Sequence, residues 1–336
     1  MIIQIYITIK FKKNLLLMNN KPIIVVAGEP NSIFVEIFIK SLKKTKNKSP
    51  IILIISKKIF KLQMRKLKLN CVFKDIEISN VNQISFENKK IYLLDINYNT
   101  SKAFEKISNK SNKYINSCFE VALKLINLGI TNKLINGPIS KKHFLKKKFL
   151  GVTEYLAYKT KSKNFAMLIY NKNLSVSPIT THLPIKFVTK KITKKLIIQK
   201  ILLINDFYKN YFNISPRIAV TGINPHCESI SSYNEDTKII KPSVEYLKRK
   251  INVVGPISSD TIFLKKNRSK YDVIIGMYHD QVLTPIKTLH EYKAVNVTIG
   301  FPFVRVSPDH GPNESMLGKN LSNPQSLIEA LNFFNN

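Results

Sequence analysis

Short apolar, β-branched runs alternate with longer helix-length segments along most of this chain. Strands are predicted at PIIVVAG (22–28), PIILIIS (50–56), KIYLLDI (90–96), KLINGP (133–138), FAMLIY (165–170), RIAVTGI (217–223), VIIGMY (273–278) and AVNVTIG (294–300), and helices within 101–129, 189–211 and 234–250. That rhythm predicts an α/β protein built from βα units. Several strand runs are apolar throughout instead of alternating, as expected of strands covered on both faces. At 336 residues the chain is long enough for two domains.

Polar turns follow several of these strands: GEPNS after 22–27, GPISK after 133–136, NPHC after 217–223 and YHDQ after 273–277. Loops beyond the carboxyl ends of strands are where α/β proteins place their sites. Three of the six histidines sit in such polar settings: His182 in THLP, His226 in NPHC and His279 in MYHDQ. Three neutral imidazoles can hold one divalent ion and leave a coordination position open. Asp280, beside His279, is placed to orient a ligand or the substrate. Downstream, Lys287, Asn296 and Arg305 add two cations and an amide at spacings of nine. Arginine supplies a planar fork for carboxylate or phosphate, and lysine a point charge. A solvated basic surface is the plain alternative for the lysine. Arg305 escapes it best, because arginine is scarce here and this one stands between apolar residues.

The formal net charge of +33 raises the possibility of a nucleic-acid partner. The lysines, however, are spread along the chain with Asn and Ile, and no zinc-finger spacing, RNP-like motif or heptad-linked basic region is present. The charge is therefore read as compositional, with neither nucleic acid nor membrane as partner. Cys71, Cys118 and Cys227 include no CxxC pair and imply no disulfide framework, which fits a cytoplasmic setting. Met18 stands directly before NNKPIIVVAGEP, so residues 1–17 are read as an extension outside the fold. With ten glycines and none paired as GxG, the dinucleotide fingerprint GxGxxG is absent, as are GxxxxGK[ST], HExxH and GxSxG.

In order, AGEP (27–30), NGPISK (136–141), GVTEYLA (151–157), THLP (181–184), GINPH (222–226), SSDTIF (258–263), YDVIIGMYHDQ (271–281), PIK (285–287), VNVTIGFPFVR (295–305) and DHG (309–311) resemble the 4-hydroxythreonine-4-phosphate dehydrogenase (PdxA) family of vitamin B6 synthesis. The resemblance runs from about residue 21 to the end. It implies the two-domain α/β fold of isocitrate and isopropylmalate dehydrogenases, with the active-site cleft between domains. The first domain would then comprise 18–140 with 290–336, and the second 141–289. It implies metal ligation by His182, His226 and His279, with a divalent ion (zinc, magnesium or cobalt), and a homodimer sharing its active site, one histidine crossing between subunits. It implies substrate binding by Thr153, Lys287, Asn296 and Arg305, with Asp260 and Asp280 as supporting carboxylates. The implied reaction is NAD- or NADP-dependent oxidation of 4-phosphooxy-L-threonine, then decarboxylation to 3-amino-2-oxopropyl phosphate. The chain departs from the family pattern at Val152, where the family has histidine, at Ser32 and Phe34, in PNESMLG after DHG, and after His226, where the usual Gly-Glu is missing. Two other functions are weighed against this one: a family-derived protein that binds metal and phosphate ligands with reduced or lost turnover, and a basic nucleic-acid-binding protein.

Overall fold

The computed structural model describes residues 21–145, 148–228, 233–308 and 310–335; the expected extension at 1–17 and Asp309 of the DHG motif lie outside the described residues. The chain divides into two compact units, Met1–Val152 with Phe303–Asn336, and Thr153–Pro302. The described strands are β1 (Ile23–Val26), β2 (Ile51–Ile55), β3 (Lys74–Ile76), β4 (Ile91–Asp95), β5 (Lys133–Asn136), β6 (Ala166–Tyr170), β7 (Ser175–Pro178), β8 (Ile218–Thr221), β9 (Val253–Ile257), β10 (Val273–Gly276), β11 (Val295–Ile299) and β12 (Val304–Ser307). The longer helices are α1 (Phe34–Lys44), α2 (Lys57–Leu67), α3 (Asn112–Asn127), α4 (Val152–Thr160), α5 (Lys194–Phe207), α6 (Lys241–Lys248), α7 (His279–His290) and α8 (Gln325–Phe333). The α/β class expected from the alternation is the class observed.

In the first unit the strands run in the order β3-β4-β2-β1-β5-β12, and every pairing is parallel. β1 (IIVV) and β2 (IILII) are buried at every position, which explains their unbroken apolar runs. The chain leaves β1 toward β2, and later reaches β5 on the other side of β1. This makes a topological switch point between β1 and β5.

In the second unit the order is β11-β6-β7-β10-β8-β9. β11 and β7 flank β6 antiparallel, whereas β7, β10, β8 and β9 run parallel. A core of Met167, Ile169, Val176, Ala219 and Ile274 receives Val282 and Ile286 from one face of α7. Burying that face fixes the helix whose first residue is His279.

Four strands carried no apolar signature. β7 reads SVSP, yet Ser177 Oγ donates to Met167 O at 2.7 Å and Ser175 Oγ accepts from Tyr208 OH at 2.8 Å, so its buried polar atoms are satisfied. β3 is KDI, β9 contains Gly-Pro, and β12 buries Arg305. Two expected helices are shorter than their segments. Within 101–129 the α-helix begins at Asn112, after a turn at Asn109–Ser111 that Ser108 caps by accepting from Lys110 N. Within 189–211, extended backbone at Ile192 precedes Thr193, whose Oγ1 accepts from Leu196 N and caps α5.

Candidate active site

Because β7, β10, β8 and β9 are parallel, the loops at their carboxyl ends emerge along one edge of the second unit. They carry, in that order across the sheet, His182, His279, His226 and Asp260. Thr180 N and Thr180 Oγ1 both donate to Met277 O, at 3.1 and 2.7 Å, and Ile179 N donates to Gly276 O at 2.8 Å. The loops after β7 and β10 are thus stitched together two residues before each histidine. The result is a His182–His279 pair with ring centroids 5.9 Å apart.

His226 is placed by a different device. Asp236, fully buried, accepts from Ile223 N at 2.7 Å and from Asn224 N and Asn224 Nδ2 at 3.1 and 2.9 Å. That carboxylate ends the GIN turn at a fixed point, and Pro225 follows. His226 and Cys227 then adopt left-handed backbone (φ 54° and 64°). Non-glycine residues pay about 1 kcal/mol or more for such a conformation, so the loop holds its histidine under local strain.

Each imidazole has a carboxylate toward Nδ1. His279 Nδ1 is 2.6 Å from Asp280 Oδ1, His182 Nδ1 is 3.7 Å from Glu154 Oε1, and His226 Nδ1 is 3.8 Å from Asp260 Oδ2. The Ser258 hydroxyl donates to Asp260 and holds its carboxyl below the usual value. The His182 and His279 side chains are 29% and 33% exposed, against 72% for His226, so the pair is sheltered and the third stands out in solvent. His182 Nδ1 is itself shielded and makes no hydrogen bond. Among the described residues, no three His, Cys, Asp or Glu side chains of one chain cluster closely enough to hold an ion. Imidazole donors, one with a shielded unbonded nitrogen, and a carboxylate behind each nevertheless form a donor set suited to a transition metal.

Thr153 is buried in the first turn of α4, Lys287 is half-buried on α7, and Asn296 lies on β11 with Oδ1 shielded and without a hydrogen-bond partner. These three belong to the second unit with the histidines. Arg305 belongs to the first, on β12, where it is buried and its Nε donates to Asn136 Oδ1 at 2.6 Å. Three positions that shape the site were not singled out from sequence: Glu154, Asp236 and Gln281. Glu154 and Gln281 stand inside GVTEYLA and MYHDQ. Asp236 had no signal beyond being an acid in a polar stretch. Among the described residues no helix is long and apolar enough to cross a membrane.

Residues 46–334 match the family model of the pyridoxal phosphate biosynthetic protein PdxA. The 4-hydroxythreonine-4-phosphate dehydrogenase of Sulfurihydrogenibium sp. (strain YO3AOP1) is 38% identical over 314 residues, 91% of this chain and 95% of that protein. The D-threonate 4-phosphate dehydrogenase of Salmonella typhimurium is 30% identical over 88% of this chain and 92% of its own length. Among solved structures, the 4-hydroxythreonine-4-phosphate dehydrogenase of Klebsiella pneumoniae superposes with a TM-score of 0.81 at 26% identity, covering 94% of this chain and 98% of the other. Every motif of the histidine-bearing edge lies inside the matched span, and the chain belongs to the PdxA family.

Proposed function

We propose that this chain is a metal-dependent dehydrogenase that oxidises the secondary alcohol of 4-hydroxythreonine 4-phosphate with NAD or NADP. The keto acid formed then loses carbon dioxide, in the synthesis of pyridoxal 5'-phosphate. The observation that carries this reading is the row of imidazoles at the carboxyl edge of the second unit, each with a carboxylate toward Nδ1. For His279 the Asp280 carboxylate, 2.6 Å from Nδ1, orients the ring and leaves Nε2 as the donor nitrogen. His182, His226 and His279 would hold the divalent ion, zinc, magnesium or cobalt. When bound, such an ion supplies Lewis acidity toward the alcohol oxygen.

The chain's own groups do the rest. Lys287 offers a point charge and Arg305 a planar fork for the phosphate and carboxylate of the substrate. Asn136, bonded to Arg305 Nε, fixes that fork in advance. Asn296 Oδ1, shielded and unbonded, is an acceptor for a substrate hydroxyl or ammonium. Thr153 adds a hydroxyl, and Asp260 and Asp280 act as supports of the imidazoles. The active form is a homodimer in which one histidine comes from the second copy, working in the cytoplasm without nucleic-acid or membrane partners.

The Salmonella typhimurium relative motivates a second reading, D-threonate 4-phosphate as substrate. The two compounds differ at C2, amine in one and hydroxyl in the other. Purified protein is given NAD or NADP, a divalent metal and each compound in turn, and reduced nicotinamide is followed by its absorbance. The expected result is a kcat/KM at least about tenfold higher for 4-hydroxythreonine 4-phosphate, the discrimination that one buried polar contact supplies. A reversed preference selects the second substrate. No reduced nicotinamide from either compound, with folded and metal-loaded protein, sinks the dehydrogenase reading.

A further inference from the structure

Gln281 is the third residue of α7, two positions after His279. A primary amide has two N–H donors and a carbonyl with two lone pairs, and here all four capacities are used. Oε1 accepts from Met277 N at 2.6 Å and from Thr221 Oγ1 at 3.1 Å. Nε2 donates to Gly222 O at 2.7 Å and to Ser259 Oγ at 2.8 Å. Met277 leads from β10 to His279, Thr221 and Gly222 lead from β8 to His226, and Ser259 precedes Asp260 after β9. One side chain therefore joins three adjacent strand ends where each gives way to a loop of the site. Gly276 makes room for it: a Cβ there would come within 3.0 Å of Gln281 Oε1 and 2.5 Å of Val282 Cγ1.

We propose that Gln281 is a positioning residue that holds the His279 and His226 loops and the Asp260 turn in one array, and thereby sets the affinity of this edge for a divalent ion. The proposal rests on the reading of the histidines as metal ligands. The bland alternative is that Gln281 only caps α7, since a residue in the first turn that reaches back to a preceding amide is a common device. The contacts of Nε2 separate the two. Gly222 and Ser259 belong to other strands and contribute nothing to a helix cap. An amide is also the group the geometry requires. A carboxylate would set lone pairs against the Gly222 carbonyl, and a thioether of equal length would leave Met277 N and Gly222 O without their partner.

The test uses Gln281→Met and Gln281→Glu in the full chain. Co2+ affinity is measured by chelator competition, the Co2+ visible absorption is recorded, and amide hydrogen exchange of residues 221–227 is followed without metal. The expected outcome is a loss of Co2+ affinity of about 10–100-fold, the usual cost of removing an outer partner of a metal site. A displaced absorption band and faster exchange at Gly222–Cys227 should accompany it. Asp272→Asn is the matched control. It removes an acceptor of Arg217 at the opposite, amino ends of β8 and β10, where Arg217 Nη2 lies 2.9 Å from Asp272 Oδ1. It should lower the unfolding midpoint and leave Co2+ affinity and spectrum unchanged.

Co2+ affinity within twofold and an unmoved band in both Gln281 variants would overturn the proposal. So would an equal loss of affinity in Asp272→Asn at equal loss of stability. His279→Ala separates the underlying reading. If that variant binds Co2+ as tightly as the unaltered chain, the metal assignment fails, and unaltered exchange at 221–227 in Gln281→Met would then reject the positioning role as well.

Discussion

In the first unit the loops that leave β1 and β5 lie backbone against backbone. A Cβ at Gly28, already at φ +80°, would collide with Pro138 O, and one at Gly137 with Ala27 O and Phe34. Glu29, between them in sequence terms, is 1% exposed and accepts from Ser111 Oγ at 2.8 Å and Asn31 N at 3.2 Å. In the second unit the equivalent loops, after β7, β10 and β8, end in imidazoles open to solvent or to one another. Both edges are the carboxyl ends of parallel strands, so topology alone does not separate a sealed edge from an imidazole-bearing one. What separates them is side-chain size and hydrogen-bond satisfaction. In the first unit the two loops close on each other at Gly28 and Gly137, whereas in the second the loops are joined only at their starts, by Thr180, Met277 and Gln281, and go on to carry imidazoles.

The sharpest way to break this contrast is His279→Ala. It should lower turnover about a thousandfold or more, some 4 kcal/mol of transition-state stabilisation, with unfolding close to that of the unaltered chain. Steady-state kinetics beside a denaturation curve would check it. Retained turnover would mean that the open edge is not the chemical one. Gly137→Ala is the converse. The new methyl meets backbone, which cannot yield as a flexible side chain can, and overpacking of this kind costs about 1–3 kcal/mol. A urea midpoint that does not move would show that the first edge is looser than its contacts say.

Much of this contrast was legible in sequence, but unevenly. The eight apolar strands were readable because parallel strands buried on both faces need unbroken β-branched runs. His226 and His279 were readable because their loops follow two of those strands, whereas His182 follows β7 and stood out only by its polar THLP setting. Arg305 was readable as an exception among lysines. β7 and β12 were not, because their polar residues are satisfied by partners such as Met167 O and Asn136 Oδ1 that lie ten or more positions away. Gln281 and Asp236 escaped for the same reason. A hydrogen-bonding residue whose partners come from other strands leaves no local pattern, and only the fold brings those partners to it.

Satisfaction is not complete in the sealed unit. Lys133, on β5, is 5% exposed, its Nζ has no hydrogen-bond partner, and burial with the Lys21 charge pushes its pKa down to about 8. Below pH 8 both folded and unfolded chains carry this proton and the fold bears the whole cost of burying the charge. Between pH 8 and the ordinary value of 10.5 the folded chain releases the proton first, so stability rises with pH. Lys133→Met should therefore stabilise the chain by about 1–2 kcal/mol at pH 7. The gain should shrink as pH climbs through that window, as read from denaturant midpoints at several pH values. A variant less stable at pH 7 would reveal a partner for Nζ that outweighs burial.

Glu29→Gln gives the smallest effect and the finest cut. Burial raises the Glu29 carboxyl above its ordinary 4.5, and the hydrogen bonds from Ser111 and Asn31 pull against that rise without cancelling it. Below pH 4.5 both states are protonated and the fold holds a neutral carboxyl. As pH rises past 4.5 the unfolded chain ionises first, so the unaltered protein loses stability until the folded carboxyl has titrated too. Glutamine keeps the size and one acceptor and does not titrate. The stability difference should thus move in favour of Glu29→Gln between acid and neutral pH, by less than any change above. An opposite drift, with the unaltered chain gaining as pH rises, would mean that the two hydrogen bonds outweigh burial.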